Sequence, residues 1–292
     1  MRMKSVPVVS MVLLGLIVLT GIFASVIAPY NPDTQNLAIA LQHPSAQHLF
    51  GTDDLGRDTA SRVVYGIRPL GVVAIVGVAL GAAFGVLVGL VAGSTRSWGE
   101  SVLMRLADIM LSIPPIVLAV LLALLFGAGE ESAIIAIALV LWPQFARVAR
   151  ADTVSVLASE FCDLARVAGL SRLTLIRRHV VMNITNNLVV LGTLSFGTAV
   201  LVSSALSFLG LGTEPPQPDW GNMLAEGTQY PTAWWMLVFP GAALTIAVLS
   251  LNSIGDWLRD VADPTAKSRA AADDMDLLVQ PDGALVATST RS

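Results

Sequence analysis

Long apolar runs separated by short polar links organise the chain. The run 8–28 carries no charged residue, and further runs fall at about 70–93, 106–126, 132–148, 187–211 and 233–251. About 20 apolar residues cross a hydrocarbon core, so the pattern predicts an all-α membrane protein with six transmembrane helices. The first run is longer than the apolar core of a cleavable signal and reads as a retained helix, ended by Pro29 and Pro32. The domain division that follows is 1–28, 29–69, 70–263 and 264–292: an N-terminal segment with the first helix, a turn-rich loop, a five-helix core and a polar, disordered tail.

Within the second run, Gly77, Gly81, Gly85, Gly89 and Gly93 recur at four-residue spacing and predict a helix face along which a second helix packs closely. Pro114-Pro115 predicts a kink in the third run. Asp108 lies near one end of that run, where an intramembrane carboxylate is a functional candidate; pairing with Arg105, three residues earlier, is the competing structural reading. The fifth run holds small hydroxylated residues. Ser203, Ser204 and Ser207 either line a polar path or bond back to their own helix. Trp220, Trp234 and Trp235 suit a membrane interface.

The polar interruption 152–183 reads as helix, elbow, helix. Leu157, Phe161, Leu164 or Ala165, and Ala168 form one apolar stripe, Gly169 breaks the helix, and Ser171 caps a second helix with Arg172, Arg177 and Arg178 on its polar side. The turn-rich loop reads as a solvated one, in which Gly51 and Gly56 permit turns while aspartates cap backbone amides.

Composition narrows the chemistry. Hydrophobic residues make up 54% and charged residues 13% of the 292 residues, with a net charge of -4, which excludes a soluble domain and a basic nucleic-acid binder. One cysteine, Cys162, makes no internal disulfide, and His43, His48 and His179 have no zinc spacing. No Gly-Lys dipeptide is present for a phosphate loop, so an ATP-driven process borrows its ATPase. Six crossings put both termini on one side. Assigning that side to the cytoplasm leaves only Arg57, Arg62 and Arg68 of the 17 Lys and Arg residues outside, as the positive-inside rule requires.

Three runs carry a family resemblance. Gly51-Thr52-Asp53-x-x-Gly56-Arg57-Asp58 is followed by Ser61-Arg62-x-x-Tyr65-Gly66. Ser207-Phe208-Leu209-Gly210-Leu211-Gly212 precedes Pro215-Pro216, Pro218, Trp220-Gly221 and Met223-Leu224. Asn252, Gly255-Asp256 and Arg259-Asp260 close the core. These runs resemble the dipeptide, oligopeptide and nickel permeases of the binding-protein-dependent ABC importers, specifically the smaller subunit of the permease pair. The segment 159–183 is similar to that family's coupling segment, with Asp163 where Glu is typical, Leu164 where Ala is typical and Val181-Met182 for Leu-Pro.

The resemblance implies the type I importer permease fold with a cytoplasmic coupling helix. Its ATPase contact would be made by Glu160, Phe161, Asp163, Leu164, Ala165, Arg166 and Ala168, with Gly169 as the turn. Asp53, Asp54, Arg57, Asp58, Asp219 and Trp220 become candidates to face extracytoplasmic partners. Expected partners are a second homologous permease, two ATP-binding subunits, a substrate-binding protein and the bilayer of a bacterial-type inner membrane. No cofactor or metal is expected in this chain, since ATP and Mg belong to the partners, and no catalytic residue is expected. Peptides are the expected cargo, and nickel, haem-like compounds and glutathione are the alternatives. An ion-gradient-driven transporter would need more ionisable groups at mid-membrane and an internal repeat. An intramembrane enzyme would need a catalytic motif such as His-Glu-x-x-His.

Overall fold

The computed structural model describes residues 6–95 and 98–262. Arg2, Lys4, Arg96 and the polar tail 264–292 lie outside the described residues. Helices dominate: α1 (Val8–Ile22), α2 (Ala24–Ile27), α3 (Thr59–Thr95), α4 (Trp98–Leu111), α5 (Pro115–Phe126), α6 (Glu130–Leu157), α7 (Glu160–Val167), α8 (Arg172–Leu175), α9 (Val181–Phe208), α10 (Trp220–Thr228) and α11 (Trp235–Ala262). A π-helical turn at Ile176–Val180 joins α8 to α9, so Arg172–Phe208 runs on as one rod. Among the described residues, four helices (Thr59–Thr95, Glu130–Leu157, Arg172–Phe208 and Trp235–Ala262) are long and apolar enough to cross a membrane. The pair α4 and α5 makes a fifth if counted as one broken span, and α1 is shorter.

The glycine face of α3 meets α6. A Cβ at Gly77 would touch Ile137, at Gly81 Leu141, at Gly85 Phe145, at Gly89 Ala149 and at Gly93 Thr153. Each glycine thus faces the residue sixty positions on, so the two helices run parallel and stay in step. Missing side chains let the backbones approach, and dispersion attraction across the seam holds the pair together where lipid supplies no hydrophobic drive.

Two parallel helices require a return crossing between them. The α4 and α5 pair supplies it, bent by 99° at the break before Pro115. The two prolines produce far more than a kink: Pro114 sits in extended geometry and Pro115 opens α5. From α6 the chain reverses. Asn187 of α9 donates to Asp152 of α6 at 2.9 Å, and at the opposite end Gly129 N–H donates to the Leu211 carbonyl at 3.5 Å. In α11, Asn252 lies against Gly197 and Gly255 against Leu194 of α9, so these two are antiparallel as well.

The core follows from this arrangement. Leu70, Val73, Ile137, Leu141, Phe145, Val202 and Leu206 are buried together where α3, α6 and α9 converge. The helix α3 begins at Thr59, well before the apolar run at 70, because Asp58 accepts from both Ser61 N–H (2.8 Å) and Ser61 Oγ (2.7 Å). At 37 residues it is about 55 Å long, against roughly 30 Å of hydrocarbon, so it projects beyond the bilayer.

Candidate functional site

Two structured regions stand at opposite ends of the bundle. At the end where α3 and α6 finish, α7 is held outside the bundle by a tight elbow. Gly169 takes φ +84°. Leu170 N–H bonds to the Ala165 carbonyl (3.1 Å) and Gly169 N–H to the Arg166 carbonyl (2.9 Å), the paired bonds by which a left-handed glycine ends a helix. Ser171 then caps α8 by accepting from Thr174 N–H at 3.3 Å, as its sequence position predicts. One face of α7 points inward: Cys162, Ala165 and Leu175 are buried together, with Val156 and Leu170 packed against them. Arg166 fastens the element by donating to the Leu157 carbonyl (2.7 Å) at the end of α6 and to Asp163 (2.6 Å).

The opposite face of α7 is bare. Phe161 is 56%, Leu164 70% and Val167 87% exposed, although Phe161 also rests edge-on against His179 with ring centroids 4.9 Å apart. Glu160, Asp163, Ala168 and Gly169 share this outer surface. The single stripe expected from the sequence is therefore divided. Leu157 and Ala165 turn inward, Phe161, Leu164 and Ala168 turn outward, and Val167 joins the outer face unforeseen. A helix one turn from two apolar surfaces reads as one broad stripe in sequence; only the neighbour, Leu175, decides which side is filled.

At the other end, the loop expected to be solvated is packed into a plate. Thr52, Asp53, Arg57, Asp58 and Arg62 are all buried. Gly51 and Gly56 take φ +71° and +70°. Asp53 accepts from Leu55 and Arg57 N–H groups and from Arg57 Nε at 2.6 Å, and its Oδ2 lies 3.5 Å from Arg62 Nε. Arg57 reaches across to Glu226 of α10 at 3.3 Å. Burial pushes the Glu226 carboxyl up from its usual range, against the opposing pull of Arg62 and Arg57. Asp53, Asp54 and Glu226 converge closely enough to hold a cation, but the arginines already supply the positive charge. The placement also bears on the three tryptophans expected at an interface: Trp220 donates to the Val63 carbonyl at 2.8 Å and Trp235 to the Thr52 carbonyl at 3.0 Å, both buried within the chain, and of the three only Trp234 is exposed.

Of the six residues considered as partner-facing, Asp53, Arg57, Asp58, Asp219 and Trp220 are thus buried within this chain, and Asp54 keeps 26% of its side chain exposed. Asp219 caps α10, accepting from Gly221 N–H (2.8 Å) and Asn222 N–H (3.2 Å). Burial drives its carboxyl above the usual range, while bonds from Asn222, Gly221 and Thr213 pull it back. Removing Arg57 would leave Asp53 buried and underneutralised. Arg57→Ala is expected to lose about 3–5 kcal/mol, read as a lower melting temperature of the purified protein and faster proteolysis within 36–58. Arg57→Lys restores only part of it, because one ammonium does not span two carboxylates as a guanidinium does.

The polar candidates of the spans fall in two places. Ser203, Ser204 and Ser207 are buried beneath α10, where a Cβ on Gly221 would lie 2.7 Å from Ser207 Cβ; their small size lets α10 close on α9. Asp108 pairs with Arg147 of α6, not with Arg105, and both side chains of the pair are 58% exposed. Arg150 of α6 likewise binds Glu100 of α4, at 2.7 Å.

A helical bundle of several membrane-length helices, with a glycine-seamed parallel pair and a side helix offered to one side, is the architecture of a multi-pass membrane permease. Residues 85–268 match the family described as "binding-protein-dependent transport system inner membrane component", and residues 2–44 match the N-terminal TM domain of oligopeptide transport permease C. The chain belongs to that family of ABC transport permeases.

Its relatives include the dipeptide transport system permease protein DppC of Alkalihalophilus pseudofirmus, 38% identical over 92% of this chain and 88% of that protein. The di/tripeptide transport system permease protein DppC of Pseudomonas aeruginosa is 40% identical over 87% and 86%. The probable D,D-dipeptide transport system permease protein DdpC of Escherichia coli is 38% identical over 89% and 87%. Among solved structures, one of the inward-facing MetNI methionine ABC transporter is similar with a TM-score of 0.57 at 18% identity, covering 69% of this chain and 96% of that one. The fold is therefore that of a type I ABC importer permease.

Proposed function

We propose that this chain is half of the translocation pathway of an ATP-driven importer of dipeptides or short oligopeptides, and that α7 is its coupling helix. The observation that carries the reading is the bare apolar face of Phe161, Leu164 and Val167 on an element otherwise fastened to α6 and α8. Apolar side chains so exposed on a rigid support call for a protein groove. A motor docked there moves α6 and the rod Arg172–Phe208 together, which is how rigid-body motion reaches spans that open alternately. The peptide names of the relatives support the cargo.

The reading carries the finer assignments with it. Six crossings follow if α1 and α2 act as one span. Backbone bonds Phe23 to Leu19 and Ile27 to Phe23 bridge their break, so 8–27 extends about 30 Å. Both termini and α7 then lie in the cytoplasm. This agrees with the clustering of Arg147, Arg150, Arg166, Arg172, Arg177 and Arg178 at the α7 end and of Arg57, Arg62 and Arg68 at the other. The domain division 1–28, 29–69, 70–263 and 264–292 is kept on the same grounds. The chain itself holds no cofactor and performs no catalysis; a homologous second permease, two ATPase subunits and a substrate-binding protein complete the machine. In reconstituted complexes, loaded binding protein is expected to stimulate ATP hydrolysis. Unimpaired uptake by a Gly169→Pro, Glu160→Ala double variant would overturn the assignment of α7.

A further inference from the structure

We infer that the Asp108 and Arg147 pair, with the bend that follows it, forms a charged station on the aqueous path near its inner mouth and takes the two termini of a zwitterionic substrate. The inference rests on the peptide-importer reading above. Arg147 stands about 25 Å along α6 from Glu130, at roughly 1.5 Å per residue; with Glu130 taken at the outer boundary, as the importer reading orients α6, its backbone falls within the inner part of a core about 30 Å thick. At that depth the pair is 58% exposed on both sides. Hydrocarbon does not solvate an ion pair. Charged groups at membrane depth face a protein partner or water.

A second observation points the same way. One turn beyond Asp108, Ser112 is exposed, its hydroxyl bonded to the Asp108 carbonyl at 2.8 Å, and the helix then breaks through 99° at an exposed Pro114. Non-helical backbone within a membrane persists only where protein buries it or a water-filled cavity adjoins it. On α6, Gln144 adds a partly exposed polar group one turn above Arg147 on the same face. A carboxylate and a guanidinium side by side, with flanking hydroxyl and amide groups, match the ammonium and carboxylate of a short peptide. The guanidinium fits the carboxylate bidentately, and the pair can exchange its mutual bond for two bonds to substrate without leaving either charge bare.

The test uses the assembled transporter in membranes, with Cys162 replaced by alanine and a single cysteine introduced by Ser112→Cys. A membrane-impermeant, positively charged thiol reagent applied from the cytoplasmic face is expected to label Cys at 112, and saturating dipeptide with loaded binding protein and ATP is expected to slow labelling several-fold. Asp108→Asn is expected to lower dipeptide uptake at least tenfold while the protein level is kept, and Arg147→Lys to retain more uptake than Arg147→Gln. No labelling at 112 in the assembled complex, or labelling only after the second permease is dissociated, would make the pair an interface contact and overturn the inference. Labelling that responds to another cargo but not to dipeptide would retain the aqueous station while refuting peptide as its ligand. Failure of the peptide reading and failure of the station are thus separable.

Discussion

Gly89→Leu is expected to leave little assembled permease in the membrane. A Cβ at this position would lie 2.5 Å from the Ala146 carbonyl oxygen, 2.7 Å from Ala149 Cβ and 2.9 Å from Arg150 N. Two of these are backbone atoms of α6, which do not swing aside as a flexible side chain does. Overpacking of a tight core costs about 1–3 kcal/mol when side chains give way, and more when two helix backbones must separate along a shared seam. Gly71→Leu in the same helix is the control, because nothing lies within 4 Å of a Cβ there. Immunoblots of membrane fractions and co-purification with partner subunits read the outcome. Equal amounts of the two variants would mean that the seam does not hold the bundle.

Leu164→Asp is expected to abolish transport without harming the fold. The side chain is 70% exposed, so the folded chain loses little, whereas a docking groove meets a charge in place of an apolar anchor. Truncation of an anchor residue typically costs at least about 2 kcal/mol of binding, more than a tenfold loss of docked complex, and a buried unpaired carboxylate costs more still. The measurements are uptake, ATPase stimulation by loaded binding protein, and recovery of the ATPase subunits on purification through this chain. Cys162→Asp, two residues away on the inner face and fully buried, is expected to behave differently, lowering the amount of protein itself. Normal uptake by Leu164→Asp would exclude α7 as the coupling element.

What the sequence made legible was local. Glycines at four-residue spacing announced a packing face before their partner was known, and the Gly169 and Ser171 pair marked an elbow with its cap. The resemblance in the loop and around Trp220 placed the family but misled about surroundings. Residues such as Asp53, Arg57 and Asp58 read as solvated because charge is usually exposed, yet Arg57 finds Glu226 on α10, far along the chain. The same limit governs Asp108, whose neighbour Arg105 is the natural partner on one helix, while α6 brings Arg147 to it. The bend after α4 was foreseen from Pro114-Pro115 but not its size; nor did the sequence show the two ion pairs that hold α4 against α6.

The glycine seam behaves like a vernier. On α3 the five notches are identical, so sliding the helix by one notch, about 6 Å at four residues of rise, would bring glycine opposite a protruding residue again. Only α6 distinguishes the positions, because its teeth differ: Ile137, Leu141, Phe145, Ala149 and Thr153. A slide would set Phe145 where Ala149 now sits, so any preference for one register has to come from the teeth and not from the spacing of the notches. Levelling those sizes would preserve the fit of every contact while erasing the mark that says which fit is the native one.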